Sequence, residues 1–337
     1  MDGCYLSAMP MLTPRLFGPA RLPVSAIGFG AWAIGGSWGT VDDAVSSDAL
    51  RRALDQGVTF FDTADVYGDG RSEERVGQVC RGRPGVVLAT KAGRRLPSQT
   101  VEGYSRDHLA AWIDRSRQKL GMETLDLLQL HCPPTALYRS DRVFTILDDF
   151  VSQGRIRAYG VSVETIEEAT LALDHPGVQS IQIIFNLFRQ RPADELFSLA
   201  LRRKVAIIAR VPLASGLLTG KITAASTFPQ DDHRNFNLRG QAFDVGETFS
   251  GVPMEAGLKA VEALRPLVPQ GATLAQFALR WVLMHEAVTT VIPGCRTPAQ
   301  VDENLAALRL PDLDAPTMAR CRAIYDDLVR PHVHGKW

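Results

Sequence analysis

Four side chains whose types suit acid–base chemistry stand at or near the ends of apolar, strand-like runs. Asp62 ends the second such run, Lys91 follows the third and His131 follows the fourth, while Tyr67 lies in the loop that begins after Asp62. Each residue alone has a plain structural interpretation, such as a loop cap, a solvated lysine or a packed ring. Their joint position at three consecutive strand ends predicts that they converge on one point.

The chemistry that this set predicts is proton donation to a carbonyl oxygen. A phenol with a pKa of about 10 is a poor acid at neutral pH, and a neighbouring ammonium lowers that pKa while a carboxylate holds the ammonium in place. An imidazole beside the phenol can orient the oxygen of a carbonyl group. Because a protein has no hydride donor of its own, carbonyl reduction would also require a nicotinamide or flavin cofactor.

The elements that would position these residues alternate along the chain. Eight short, continuously apolar runs are each followed by a segment of helical periodicity, which is typical of a parallel sheet buried on both faces. This order favours a (β/α)8 TIM barrel over two doubly wound halves, and no Gly-x-Gly-x-x-Gly motif follows the first run. The predicted strands are 27–31, 59–62, 86–90, 125–130, 156–161, 180–185, 205–209 and 288–292.

The predicted domain organisation is a single barrel, residues 13–337, preceded by a short or disordered N-terminal extension, residues 1–12. A long loop, the insertion 210–271, follows the seventh strand, and loops of that length are usually functional or disordered. The C-terminal tail, residues 309–337, is expected to carry one extra helix. A further helix is predicted over 192–201, between the sixth and seventh strands.

Composition and charge exclude several classes of protein. Lys and Arg number 37 and Asp and Glu number 37, and this balance argues against binding to nucleic acid or an anionic membrane. No run approaches the ~20 apolar residues of a membrane helix, and the first residues lack the features of a secretory signal. The five cysteines form no C-x-x-C motif, so we expect no disulfide framework, no metal site and a reduced, cytoplasmic protein.

Several longer motifs have the order and spacing of one known family. They are the segments 61–68, 72–74, 76–77, 89–91, 126–131, 160–162, 212–221 and 292–296, together with Glu303 and Asn304. With these motifs the chain resembles the aldo-keto reductases over about residues 13–310. The glycine-rich segment 30–36 is similar to the bacterial branch of that family.

This resemblance implies reversible reduction of an aldehyde or ketone to an alcohol, with Asp62, Tyr67, Lys91 and His131 as the catalytic residues and Tyr67 as the general acid. It also implies NADPH as the preferred cofactor, with NADH as the alternative. The residues that it assigns to cofactor binding are Gly30, Ala31, Trp32, Asp62, Ser162, Gln182, Arg210, Pro212, Leu213, Ser215, Lys221, Gly294, Arg296, Gln300, Glu303 and Asn304.

The residues near the end of the chain agree with a phosphate site. Thr297 followed by Pro298 predicts a helix N-terminus, which favours phosphate, and Arg296 adds a bidentate partner for a 2′-phosphate. The chain also departs from the family pattern. Arg210 stands where many relatives stack an aromatic ring on the nicotinamide, and Val163 stands where an Asn is common.

A substrate pocket with aromatic walls and some polar groups is expected from the surrounding loops. It suits a small carbonyl compound or a sugar-like substrate, and the oligomeric state stays open. The residues predicted to line this pocket are Trp32, Trp38, Tyr67, His131, Pro133, His233 and Phe236.

Two other functions use the same residues differently. The potassium-channel β-subunits share the expected architecture and bind nucleotide while acting on a partner, so a cofactor-binding regulatory subunit is one alternative. A barrel aldolase that uses Lys91 to form a Schiff base is the other. The aldolase mechanism has no use for Asp62, Tyr67 or the phosphate motif, which favours the reductase.

Overall fold

The computed structural model describes residues 14–36 and 42–337. The predicted extension 1–12 and the predicted pocket residue Trp38 lie outside these residues. Each of the eight predicted strands overlaps an observed one. The strands are β1 (Arg15–Phe17), β2 (Leu22–Val24), β3 (Phe29–Gly30), β4 (Phe60–Asp62), β5 (Val87–Ala92), β6 (Leu127–His131), β7 (Tyr159–Ser162), β8 (Val178–Ile184), β9 (Ala206–Arg210) and β10 (Val288–Val291).

Strands β3 to β10 form a closed parallel barrel. Consecutive strands pair in chain order from β3 to β10. The first and last strands then meet, because the backbone N–H of Gly28 donates to the Val291 carbonyl at 2.8 Å and that of Gly30 donates to the Pro293 carbonyl at 3.0 Å. The predicted (β/α)8 barrel is therefore confirmed, and all eight strands end at the same mouth.

The N-terminal hairpin was not expected from the sequence. β1 pairs with β2 in antiparallel fashion, and the ring of Phe17 stacks on that of Phe60 with 5.5 Å between the centroids. Phe17 belongs to a buried cluster with Ala89, Leu127 and Ile208 from the barrel strands. Two strands of three residues, one of them containing a proline, carry too short a pattern to be recognised by alternation.

Helices cover the outside of the barrel. Several of them begin and end at the residues that the sequence indicated: the Ser105 side chain accepts from the His108 N–H, Gly121 is left-handed at φ 66°, and Thr297 caps a helix that starts with Pro298. The helices are α1 (Asp43–Asp55), α2 (Arg71–Cys80), α3 (Arg106–Leu120), α4 (Asp141–Ser152), α5 (Ile166–Ala172), α6 (Arg191–Glu195), α7 (Phe197–Arg203), α8 (His233–Phe236), α9 (Met254–Leu264), α10 (Leu274–Leu283), α11 (Pro298–Leu305), α12 (Ala315–Leu328) and α13 (Arg330–Val333).

Two helical regions differ from the expectation. The single helix predicted over 192–201 is divided at Leu196 into α6 and α7. The insertion is also more ordered than a loop, because it contains several 3₁₀ turns, α8 and the eleven-residue α9, which packs against α12. Among the helices of the described residues, none combines the length and apolar character required to cross a membrane.

Candidate active site

Three of the four predicted catalytic side chains lie on adjacent strands of the barrel. Asp62 ends β4, Lys91 lies near the end of β5 and His131 ends β6. All three are buried, with exposed fractions of 2%, 1% and 4% respectively. The parallel register brings them to the mouth of the barrel together, as the sequence predicted.

Lys91 is the centre of the hydrogen-bond network. Its Nζ donates to Asp62 Oδ1 at 2.5 Å and to the Thr63 carbonyl at 2.9 Å, and it lies 3.4 Å from the Tyr67 hydroxyl. Burial by itself lowers the pKa of the Lys91 ammonium, but Asp62 and Tyr67 outweigh it and hold the pKa above its usual value. Lys91 is therefore a protonated donor, which is unsuited to nucleophilic attack as a Schiff-base lysine.

Two glutamines complete the environment of Asp62. The Nε2 groups of Gln129 and Gln182 donate to Asp62 Oδ2 at 3.0 and 2.8 Å, and Gln182 Nε2 also lies 3.0 Å from Gln129 Oε1. Gln182 was expected at the nicotinamide, and it does line the cavity described below. The role of Gln129 was missed, although its position two residues before His131 on the same strand places both on the inner face.

The acidity of Tyr67 differs from the expectation. Its pKa was expected to be lowered by Lys91, but burial raises it above the usual value, and the opposing effect of Lys91 does not compensate. The expectation was wrong because the sequence alone does not show how deeply the phenol is enclosed. At neutral pH the hydroxyl is protonated, so that it stores a proton for a carbonyl oxygen.

His131 is neutral and lies beside the phenol. Burial, followed by the charges of Arg94 and Lys91, holds its pKa well below the usual value. Its ring meets the ring of Tyr67 edge to face, with 6.0 Å between the centroids and 85° between the planes. A neutral imidazole next to a protonated phenol can orient a carbonyl oxygen by hydrogen bonding without adding a charge.

A cavity of about 370 Å³ opens above these residues and runs toward the start of α11. Such a volume is in the range of ligand-binding sites. Most of the predicted cofactor residues line it, and these are Gly30, Trp32, Asp62, Ser162, Gln182, Arg210, Pro212, Leu213, Ser215, Lys221, Gly294, Arg296, Gln300, Glu303 and Asn304. Tyr67 and His131, which were also predicted for the substrate pocket, line it as well.

Of the predicted residues that the structure describes, four do not line this cavity. Ala31 and His233 are fully buried, and Pro133 is buried as well, whereas Phe236 is 37% exposed at the surface. His233 instead packs against Trp32, which lines the cavity, with 4.7 Å between the ring centroids. The sequence carries no signal for which side chains of these segments face the cavity, so all four were predicted to line it.

Two further charged residues of the insertion, Glu247 and Arg234, line the cavity. Glu247 was missed, whereas Arg234 belongs to the segment that carries the predicted residues His233 and Phe236. The guanidinium of Arg234 is oriented by Asp232, to which Nε and Nη2 donate at 2.9 and 2.6 Å. Asp232 also caps α8, so the turn and the arginine are positioned by the same carboxylate.

The end of the cavity near α11 has the features of an anion site. Thr297 caps the helix, and the backbone N–H of Arg296 donates to Gln300 Oε1 at 2.8 Å. The N-terminus of this eight-residue helix carries partial positive charge, which favours anions. Together with the side chains of Arg296 and Lys221, this end suits phosphate groups.

Arg210 is placed differently from a ring that stacks on a cofactor. Its Nη1 lies 3.3 Å from Glu247 Oε1, and its Nη2 donates to the Val163 carbonyl at 3.1 Å. The guanidinium is only 7% exposed, although it borders the cavity. Its charge is therefore balanced by a carboxylate of the insertion.

Comparisons with known proteins agree with this fold. A sequence profile described as the Aldo/keto reductase family matches residues 26–326. Aldo-keto reductase YhdN of Bacillus subtilis (strain 168) is 32% identical over 288 residues, covering 83% of this chain and 84% of the relative. A probable voltage-gated potassium channel subunit beta of Arabidopsis thaliana is 31% identical over 316 residues, covering 89% and 92%.

A solved structure shows the same similarity in three dimensions. The glycerol dehydrogenase AKR11B4 from Gluconobacter oxydans superposes with a TM-score of 0.76 at 30% identity, covering 98% of each chain. The chain therefore belongs to the aldo/keto reductase family, and the resemblance inferred from its motifs is confirmed.

Proposed function

We propose that this protein is an NADPH-dependent reductase of aldehydes or ketones that also oxidises the corresponding alcohols. The observation that carries the proposal is the hydroxyl of Tyr67, which lies 3.4 Å from a lysine that is itself paired with Asp62 at 2.5 Å. This phenol faces a cavity that reaches a helix N-terminus flanked by Arg296. The proposed proton donor and the proposed phosphate site therefore lie in the same cavity.

The residues of the chain have distinct tasks in this reaction. A nicotinamide cofactor, which Ser162 and Gln182 of the cavity lining would hold, would supply the hydride for the carbonyl carbon. Tyr67 donates its hydroxyl proton to the carbonyl oxygen, which His131 orients by a hydrogen bond. Lys91 stabilises the phenolate that Tyr67 becomes, and Asp62 keeps Lys91 protonated and in position. In the reverse direction Tyr67 accepts the proton.

The preference for NADPH rests on the end of the cavity that lies near α11. Arg296 and Lys221 offer positive charge to phosphate groups, and Arg234 adds a cation whose orientation Asp232 holds. A guanidinium binds the 2′-phosphate of NADPH in a bidentate manner, whereas NADH has a hydroxyl at that position. We further propose that residues 13–337 act as a single domain in the cytoplasm.

The test is an assay of NADPH consumption by the purified protein with a panel of aldehydes. We expect consumption that depends on aldehyde, together with tight NADPH binding measured by fluorescence without substrate. Binding of NADPH with no turnover of any aldehyde or ketone would contradict the proposed activity.

A second candidate function is a nucleotide-binding regulatory subunit, and the similarity to the Arabidopsis thaliana channel subunit favours it. Such a protein would bind NADPH and a membrane channel, with slow or no turnover. Affinity purification with and without NADPH from solubilised membranes separates the two functions. Recovery of a stoichiometric channel partner together with absent turnover would support the regulatory function.

A further inference from the structure

A cluster of four charged side chains lies beside the reaction centre and has no task in the mechanism above. Arg94 Nη2 donates to Glu164 Oε1 at 3.0 Å and to Glu247 Oε1 at 3.2 Å. Arg210 Nη1 lies 3.3 Å from the same oxygen of Glu247. Two guanidinium groups and two carboxylates therefore form a continuous ion-pair network at the ends of β5, β7 and β9.

Glu247 is the member of this network that comes from the insertion and borders the cavity. It is 8% exposed, and it lines the same enclosure as Tyr67 and His131. Burial by itself raises the pKa of its carboxyl, but Arg210 and Arg94 outweigh burial and hold the pKa below its usual value. The Glu247 carboxylate is therefore a charged hydrogen-bond acceptor at the cavity that a substrate of Tyr67 enters.

The segment 244–251 holds Glu247 in a defined place. Ser215 Oγ donates to the Glu247 carbonyl at 3.0 Å and accepts from the Phe249 N–H at 3.1 Å. On the other side, Trp337 Nε1 donates to Asp244 Oδ1 at 2.9 Å. A Cβ on Gly251 would lie 2.4 Å from the Trp337 ring, so the indole packs directly against the segment.

The surroundings favour hydrogen bonding to a substrate over binding a metal ion. Ligand atoms of Cys132, Glu164 and Glu247 lie within 4.8 Å of one another. However, Arg94 and Arg210 already contact Glu164 and Glu247 and compete with any cation for their oxygens. A carboxylate with adjacent guanidinium groups instead suits a hydroxyl group, which donates to the former and accepts from the latter.

We propose that Glu247 selects substrates that carry a hydroxyl group on the carbon next to the carbonyl. This inference rests on the proposed reductase function, since it takes the substrate carbonyl to be bound at Tyr67 and His131, in the cavity that Glu247 also lines. The preferred substrate class is then α-hydroxy aldehydes and ketones. Trp337 acts as a positioning residue for the segment that carries Glu247.

The test compares two aldehydes of equal chain length, 2-hydroxypropanal and propanal, which differ only in the hydroxyl next to the carbonyl, with NADPH in excess. The measured quantity is the kcat/KM ratio of the two substrates for Glu247→Gln divided by the same ratio for the unaltered protein. Hydration of the free aldehydes cancels in this quotient. We expect a fall of about tenfold, because a hydrogen bond to a charged group is replaced by one to a neutral amide.

Glu164→Gln is the matched control, since it removes an ion pair from the same Arg94 but does not border the cavity. In this control variant, the ratio of kcat/KM values for the two aldehydes should stay within about twofold of the ratio for the unaltered protein. If Glu247→Gln does not fold, Glu247→Asp, which keeps the charge but shortens the side chain, should lower the ratio by an intermediate factor. A quotient near one for a folded Glu247 variant, or an equal fall in Glu164→Gln, would overturn the inference.

The outcome also separates this inference from the proposed function. If the unaltered protein consumes NADPH with neither aldehyde nor any other carbonyl compound, the proposed function itself fails. If it reduces propanal and 2-hydroxypropanal but the Glu247 variants do not change the ratio of their kcat/KM values, only the role of Glu247 fails.

Discussion

The two sides of the cavity are built by different means. The strand-borne side consists of Asp62, Lys91 and His131 on β4 to β6, together with Tyr67 in the turn that follows β4. Parallel pairing holds the backbone of these strands. The loop-borne side consists of residues 211–251 and 294–304. Its backbone includes left-handed residues such as Val211, Ser215 and Ser250, at φ 51°, 55° and 58°.

This difference indicates a division of labour. Barrel strands fix side chains at their ends with little freedom, which suits a proton transfer that tolerates small displacements poorly. Loop segments tolerate insertion and sequence change, which suits the recognition of different substrates and cofactor phosphates. We therefore expect catalysis to depend on the strand ends and on the short turn after β4 that carries Tyr67, and selectivity to depend on the longer loops. Substitutions on the strand-borne side should therefore affect mainly the rate of the reaction, and substitutions on the loop-borne side should affect mainly the choice of substrate or cofactor.

The largest effect is expected from Tyr67→Phe on the strand-borne side. Removal of the hydroxyl takes away the proton donor while the ring continues to pack against Trp32 and His131. Reduction should slow by about 10²–10⁴-fold. NADPH affinity, measured by fluorescence titration, should change little, and unchanged turnover would refute the assignment of Tyr67 as general acid.

The pH dependence should be large in one direction of the reaction only. Because the pKa of Tyr67 is raised, its acid form persists through neutral pH, so the reduction rate should be flat between about pH 6 and 9. Alcohol oxidation requires the phenolate and should rise by up to about tenfold per pH unit in the same interval. Initial rates in both directions check this. A bell-shaped reduction profile centred near neutral pH would contradict it.

Arg296→Leu tests the loop-borne side at its phosphate end. The variant removes a bidentate partner for the 2′-phosphate, so NADPH affinity should fall by about 10- to 100-fold while NADH affinity stays nearly the same. Titration with both nucleotides measures the difference. Lys204→Leu, a change of an exposed cation far from the cavity lining, serves as the control. Equal losses for both nucleotides would argue against 2′-phosphate recognition by Arg296.

The smallest effect is expected from Trp337→Phe. Phenylalanine keeps an aromatic ring beside Arg189, but the hydrogen bond to Asp244 is lost, so the free energy of unfolding should fall by about 1 kcal/mol. The kcat/KM ratio of 2-hydroxypropanal to propanal should fall by about threefold through displacement of Glu247, with propanal turnover little changed. A thermal melt and the same kinetic comparison measure both effects. If the protein loses stability but the ratio of kcat/KM values for the two aldehydes does not change, Trp337 does not position Glu247.

Much of the strand-borne side could be predicted from sequence. Asp62, Lys91 and His131 follow apolar runs, and in a parallel barrel such runs end at one mouth, so their convergence follows from local pattern and fold class alone. Gln129 was missed although it lies two residues before His131 on the same strand, because the sequence alone does not show that its amide contacts Asp62. The hairpin β1–β2 was missed because its strands are too short for a pattern.

The sequence by itself determined the order of strands and helices, the family and the residues at the strand ends, since these depend on local periodicity and short motifs. Only the tertiary structure decided the direction of the Tyr67 pKa, the pairing of Arg210 with Glu247 and the supporting role of Trp337. Burial and contacts between distant segments arise when the chain closes around the cavity, and no local pattern encodes them. The selectivity proposed here depends on those contacts.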